Sequence, residues 1–141
     1  MSAERDQMIS SLNKLFVPEL RKLNFKGSFP HFRRTENDIT NLITFQFDRD
    51  GGGFVIELAN YKGKEYVTSW GEITELKKLT AHHLNQRKRI YPNSENEDNG
   101  KGSWFRYDKK SFFNLGNIYD KNAKKATERI PLMEKYWSEV K

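Results

Sequence analysis

Two short runs constrain this chain most. In Ile43-Thr44-Phe45-Gln46-Phe47 apolar side chains fall at every second position. In Phe54-Val55-Ile56-Glu57-Leu58 the residues Phe54, Ile56 and Leu58 alternate with Val55, Glu57 and Ala59. A period of two puts one set of side chains on one face of a strand. The stretch between the runs, Asp48-Arg49-Asp50-Gly51-Gly52-Gly53, is a turn signal. Both runs are rich in aromatic and β-branched residues, so the pair reads as an antiparallel hairpin. A lone hairpin is at best marginally stable in water. The rest of the chain must therefore supply more strands and a cover.

The cover is legible at both ends. Met8 or Ile9, Leu12, Leu15/Phe16, Leu20 and Leu23 recur at helical spacing, which predicts an amphipathic helix over residues 4–24. Pro18 should kink that helix or start a new turn. The stop lies within Asn24 to Gly27, with Gly suited to a left-handed turn. Ala123, Ala126, Ile130, Met133, Trp137 and Val140 predict a C-terminal helix, interrupted at Pro131.

Between them, Phe29 to Thr35 reads as a strand and Glu36-Asn37-Asp38 as a turn. Leu42 breaks the alternation of its strand and suggests a second apolar layer. Tyr61 to Lys64 is a turn, and Tyr66 to Trp70 extends the sheet or is irregular. Ser69 and Glu72 resemble a capping box before Ile73, Leu76 and Leu79, which predicts a short helix at 73–80. His82, Leu84, Gln86, Lys88 and Ile90 share one side of a strand that is poorly apolar, so it is read as an edge or a working face. Pro92 to Gly102 has no apolar residue and reads as a flexible loop. Ser103 to Asp108 resumes a strand, and Phe112, Phe113, Leu115 and Ile118 pack after it. No linker or repeat divides the chain, so residues 1–141 are read as one domain.

The core this allows is thin. Leu, Ile, Val and Phe make up about 23% of the chain, just above the roughly 20% below which highly charged chains stay disordered. Ten Phe, six Tyr and three Trp carry much of the burial. With no cysteine there are no disulfides, thiolate metal sites, iron–sulfur clusters or cysteine nucleophiles. No apolar run reaches the roughly 20 residues that span a bilayer, and the first ten residues lack the pattern of a signal peptide. The expectation is a cytoplasmic protein without membrane contact, cofactor or metal.

The net charge is +6, and it is uneven. From Lys77 to Lys125, 12 basic residues face 5 acids, so this stretch holds the whole excess. Such asymmetry points to an acidic partner. Arg87-Lys88-Arg89-Ile90-Tyr91 and Trp104-Phe105-Arg106-Tyr107 could lie on neighbouring strands. A face that combined their charges and rings would neutralise phosphates and stack bases. The plainer alternative turns the aromatics into the core and leaves the charges to solvate the outside.

Other motifs read as structure. Asp48 to Gly53 lacks the fifth and twelfth ligands of a calcium loop, having Gly52 and Ala59 there, and no helix follows it to hold a phosphate. Glu75-x-Lys77 echoes metal-dependent nucleases but falls in the predicted helix, so it reads as a solvated face. His82 and His83, adjacent on a strand, point to opposite faces and do not enter one site; His31 stands alone between Pro30 and Phe32. There is no Gly-x-Ser-x-Gly elbow.

The order of features resembles a largely bacterial family catalogued as domain of unknown function 4304. The matching pieces are Leu20-Arg21-Lys22-Leu23-Asn24-Phe25-Lys26-Gly27, Phe29 to Arg34, Ile43 to Gln46, Phe54 to Leu58, Gln86 to Ile90, Trp104 to Asp108 and the C-terminal helix. The chain departs from it in having Trp104-Phe105 for a tryptophan pair and Ile90-Tyr91-Pro92 for an Ile-Gly step. The resemblance implies a compact domain without an assigned activity, of the kind that often serves as an immunity or accessory protein.

These readings converge on an α+β domain, an antiparallel sheet of about five strands covered on one face by the N- and C-terminal helices. The expected function is non-catalytic binding of another protein, acidic in character and immunity-like. The alternatives are nucleic-acid binding through residues 82–108 and a hydrolase or nuclease with an unrecognised site. No catalytic residue is assigned. The candidate surface is Arg87, Lys88, Arg89, Trp104, Arg106 and Tyr107.

Overall fold

The computed structural model describes residues 3–93, 100–108 and 117–139. It is an α+β arrangement: an antiparallel sheet with helices from both ends packed on one face. Helices α1 (Ala3–Leu15) and α2 (Val17–Lys22) occupy the stretch where one kinked helix is predicted. Pro18 sits in the first turn of α2, where a missing N–H breaks no intrahelical bond. The left-handed residue that ends α2 is Asn24, at φ 73°, rather than Gly27. Gly27, at φ 112°, lies in a strand, where a Cβ would come within 2.5 Å of the His31 carbonyl.

Strands β1 (Lys26–Ser28) and β2 (His31–Glu36) form a hairpin around a cis Phe29–Pro30 peptide, where the sequence suggests a single strand. Asn37 and Asp38, both at positive φ, make the tight turn into β3 (Ile39–Phe47). The predicted hairpin is then formed by β3 and β4 (Gly53–Lys62), with Phe47 opposite Phe54 and Ile43 opposite Leu58. The sheet runs β1-β2-β3-β4-β7, where β7 is Lys88–Ile90. The β8 strand (Phe105–Arg106) pairs with the other end of β4.

Helices α3 (Ile118–Glu128) and α4 (Ile130–Glu139) divide at Arg129, with Pro131 in the first turn of α4. The Asn117 side chain caps α3 by accepting from the Tyr119 and Asp120 amides. The Ser11 hydroxyl donates to Asp120 at 2.7 Å and ties α1 to α3. That bond, with help from Lys14, holds the Asp120 carboxyl below its ordinary value although desolvation opposes it. Under the helices lies the main core, in which Phe16, Phe32, Phe45 and Phe54 meet Met8, Leu12, Met133 and Trp137. Phe54 and Phe105 stack with centroids 4.8 Å apart.

Three expectations need correction. The predicted helix at 73–80 is reduced to one 3-10 turn at Leu76–Lys78: its first residues belong to β6 (Ile73–Glu75), which forms a two-stranded ribbon with β5 (Glu65–Val67). Gly71 at φ 90° and a bond from the Glu72 amide to the Thr68 hydroxyl build the turn of the ribbon, so Ser69 and Glu72 cap no helix there. The strand expected from His82 to Ile90 shrinks to β7, because Ala81–His83 is a 3-10 turn closed by reciprocal Thr80 and His83 bonds. Only two residues of the predicted Ser103–Asp108 strand pair.

Of the loop predicted at 92–102, residues 94–99 lie outside the described residues, as do Phe112, Phe113 and Leu115. Among the described residues no helix is long and apolar enough to cross a membrane.

Candidate functional site

The face of the sheet away from the helices carries one polar row. His31 on β2 pairs with Thr44 on β3, Thr44 with Glu57 on β4, and Glu57 with Arg89 on β7. Strand alternation points these four away from the main core. Two apolar clusters flank the row. Leu42 and Ala59 pack under Leu79 and Ala81 on one side, and Val55, Tyr91 and Trp104 close the other. Leu42 thus belongs to the second layer that its broken alternation suggests.

Because both sides are covered, the Glu57 side chain is only 3% exposed. A carboxylate taken out of water needs cations and hydrogen bonds. Three side chains supply them. Arg89 Nε donates to Oε2 at 3.0 Å, His82 Nε2 lies 3.1 Å from Oε1, and Arg87 Nε lies 3.6 Å from the same oxygen. His82 reaches Glu57 because the 3-10 turn packs Ala81 into the apolar cluster and leaves the next residue over the row. Arg87 is pinned further by Nη1 bonds to the carbonyls of Leu84 (3.0 Å) and His82 (3.4 Å). Arg89 lies over the Trp104 ring, 5.4 Å from its centroid. Burial works against the Arg89 charge, and hydrogen bonds to Glu57 and Tyr91 outweigh it, so its pKa moves up.

The His31 ring stands edge-on to His82 with centroids 5.8 Å apart, and its Nδ1 shares a 3.0 Å bond with the buried Thr44 hydroxyl. The histidines that look isolated along the chain are therefore neighbours. Burial, and then the charges of His82 and His83, hold the His31 pKa below its ordinary value of 6.5. In unfolded chain His31 takes up its proton near 6.5, but in the fold only at lower pH. Between those values the unfolded state binds more protons, so stability falls as pH drops through this window. We expect the urea midpoint to fall between about pH 8 and about pH 5, and to fall less in His31→Asn. Equal slopes in both proteins would contradict the shift.

The six residues singled out from sequence do not form one exposed surface. Arg87 and Arg89 join the Glu57 cluster. Lys88 lies between them on the opposite face of β7. Trp104 is 6% exposed and Tyr107 3%, so neither ring is free to stack on a base. Arg106 is a structural clamp across the β3–β4 turn: Nη1 donates to Asp48 at 3.2 Å, and Nη2 to Asp108 at 2.6 Å and to the Gly51 carbonyl at 3.2 Å. The Asp108 bond is the largest cause of its raised pKa, with burial opposing and Asp48 adding. A Cβ on Gly53 would approach Arg106 Nη1 to 2.6 Å, which explains a glycine where the turn meets β4. Among the described residues no three His, Asp or Glu side chains are grouped to hold a metal ion.

Sequence reasoning missed Glu57 and its link to His82. The signal was present: a single acid flanked on its own strand face by Val55 and Ala59 implies a covered face and a buried charge.

A second feature stands apart. Among the described residues the exposed large hydrophobic side chains are Val67 (56%), Trp70 (75%) and Ile73 (57%). All three belong to the β5–β6 ribbon. Val67 pairs directly with Ile73, and Trp70 sits in the turn beyond them with its indole N–H on Glu72 at 3.2 Å. From the middle of β5 the Tyr66 hydroxyl donates to the His83 carbonyl at 2.9 Å, anchoring the ribbon beside the Ala81–His83 turn. Glu75 at the end of β6 and Lys77 in the 3-10 turn after it form an exposed ion pair at 3.3 Å.

Compared with known proteins, residues 16–126 match the family model described as Domain of unknown function (DUF4304). No curated protein and no solved structure matches the chain.

Proposed function

The chain belongs to the DUF4304 family, and within it we propose a non-catalytic module that binds another protein through the β5–β6 ribbon. One observation carries this reading: the large hydrophobics exposed among the described residues gather on that ribbon rather than scattering. Isolated exposed apolar side chains are ordinary, but a cluster around a tryptophan is the composition of an interface centre. Its surroundings have the polar character of an interface rim: Lys62, Lys64 and Lys78 beside Glu65, Glu72 and Glu75. The net charge of +6 favours encounter with an acidic partner. The alternative of bases stacking on Trp104 and Tyr107 draws no support, because both rings are buried.

Trp70→Ala tests the proposal. Tagged protein is expected to co-purify with its partner, for which the product of an adjacent gene is the first candidate, and to keep it at moderate salt. Trp70→Ala is expected to weaken the purified complex by about 2 kcal/mol or more, roughly 30-fold, with little change in Tm. An unchanged affinity would remove the ribbon from the interface.

A further inference from the structure

The Glu57 cluster holds more positive charge than its one carboxylate neutralises. Arg87 and Arg89 leave a surplus of one positive charge with the histidines neutral, and protonation of His31 and His82 raises it. Several nitrogens are unused, the Arg87 one a donor at any pH and the His82 one a donor once its ring is protonated. Among the described residues His31 Nε2, His82 Nδ1 and Arg87 Nη2 have no hydrogen-bond partner, while the other nitrogens of these rings and the Arg87 Nε and Nη1 are fixed to Thr44, Glu57 and backbone carbonyls. Side chains with one end clamped and the other free are oriented before any ligand arrives, which lowers the ordering cost of binding. The Glu57 side chain, buried beneath them, is the anchor. The His82 side chain is 47% exposed and that of Arg87 34%, so the cluster opens to solvent.

From this geometry we propose that His31, His82, Arg87 and Arg89 form a binding site for a phosphate-type dianion, a phosphomonoester group being the matching ligand. Guanidinium and imidazolium groups bind such oxyanions through charge-assisted hydrogen bonds. The site is a point around one carboxylate, and its neighbouring Trp104 is buried under Arg89. A polynucleotide would need a tract of cations and open rings instead. The proposal stands on different residues from the ribbon, and either can fail without the other.

Binding should depend on pH through the histidines. The charged groups facing His31 are His82 and His83; those facing His82 are Glu57, Arg87 and His31. A dianion relieves the repulsion between the rings, so its binding favours their protonated forms. Sulfate, whose charge is constant over this range, separates that effect from the titration of phosphate itself.

The test is a titration of the full chain with sodium sulfate and with inorganic phosphate, followed by NMR of the histidine ring protons, with sodium chloride at matched ionic strength as control. Saturable shifts of His31 and His82 are expected with both dianions. Sulfate affinity at about pH 5.5 should exceed that at about pH 8 by about tenfold. His82→Ala and Arg87→Ala should each weaken binding about tenfold; because each also takes a partner from Glu57, the loss is read on variants whose NMR spectra show the native fold, with Arg89 still on the carboxylate. A phosphoserine peptide and a nucleoside monophosphate then separate the two sources of the group, and tighter binding of either than of free phosphate supports the site and names its carrier. Shifts that chloride reproduces, or that survive both substitutions, overturn it. So does an oligonucleotide that outcompetes every monoester with a steep salt dependence.

Discussion

Phe54→Ala is expected to lower the stability of the fold by about 3–5 kcal/mol. Phe54 is fully buried at the start of β4 and has three aromatic neighbours: Phe105 stacked at 4.8 Å, Phe47 at 5.5 Å and Phe45 at 5.8 Å. It also faces the short β8 strand, since Phe54 and Phe105 are cross-strand partners. Removing the ring leaves a cavity and takes away the surface that holds Phe105. Three of its neighbours are planar rings already packed on one another or on the sheet, which collapse poorly into the space, so the upper part of the range applies. A domain of this size loses about 10–20 °C in Tm for such a change. A fall of only a few degrees would show that Phe105 and Phe47 repack to fill the gap.

The second large effect is at Glu57. Glu57→Gln keeps the shape but leaves Arg87, Arg89 and His82 without their shared anion. Loss of one partner from a fully buried pair costs about 3–5 kcal/mol. Here the cations are a third to a half exposed, so water recovers part of that, and about 1–3 kcal/mol is expected. A double-mutant cycle with Arg89→Met checks the cause. If Glu57 acts through Arg89, the double variant will be less destabilised than the sum of the single ones, by about 1 kcal/mol. Additive effects would mean that Glu57 is held by the fold for another reason.

These two residues lie three positions apart on one strand and differ in how legible they were. Phe54 belongs to the alternating set that defines the hairpin, and the period of two gave its face directly. The helices at both ends were equally readable from spacing, because each buries one stripe. What failed was local. Ser69 and Glu72 have the spacing of a capping box, but Gly71 takes a left-handed conformation and turns the chain back as a ribbon. His82 and His83 suit a strand by position, yet Thr80 and His83 satisfy each other across a 3-10 turn. Both outcomes depend on tertiary support, since strands or turns of three residues have little preference of their own.

The candidate site was legible only in part. Arg89 on β7 and Arg87 just before it both reach Glu57, and Lys88 between them faces the other way; the side read from sequence as shared by His82, Lys88 and Ile90 is split, because the 3-10 turn carries His82 to the Glu57 side. The target of the two arginines lies about thirty residues away in sequence, and register alone brings it opposite Arg89. His31 and His82 meet for the same reason, through pairings across β2, β3 and β4. Trp104 and Tyr107 are where the sequence left two readings open, and both rings face inward. Of the excess charge, Arg87 and Arg89 gather on a buried acid and Arg106 clamps a turn.

Collisional quenching of tryptophan fluorescence tests directly the proposed place of Trp70 at the centre of a protein interface. Trp104 and Trp137 are buried, so iodide reaches mainly Trp70, and Trp70→Phe should remove the quenchable emission. With the purified partner at saturation, Trp70 is expected to become inaccessible and its emission to shift to the blue. Undiminished iodide quenching of Trp70 in the saturated complex would contradict it.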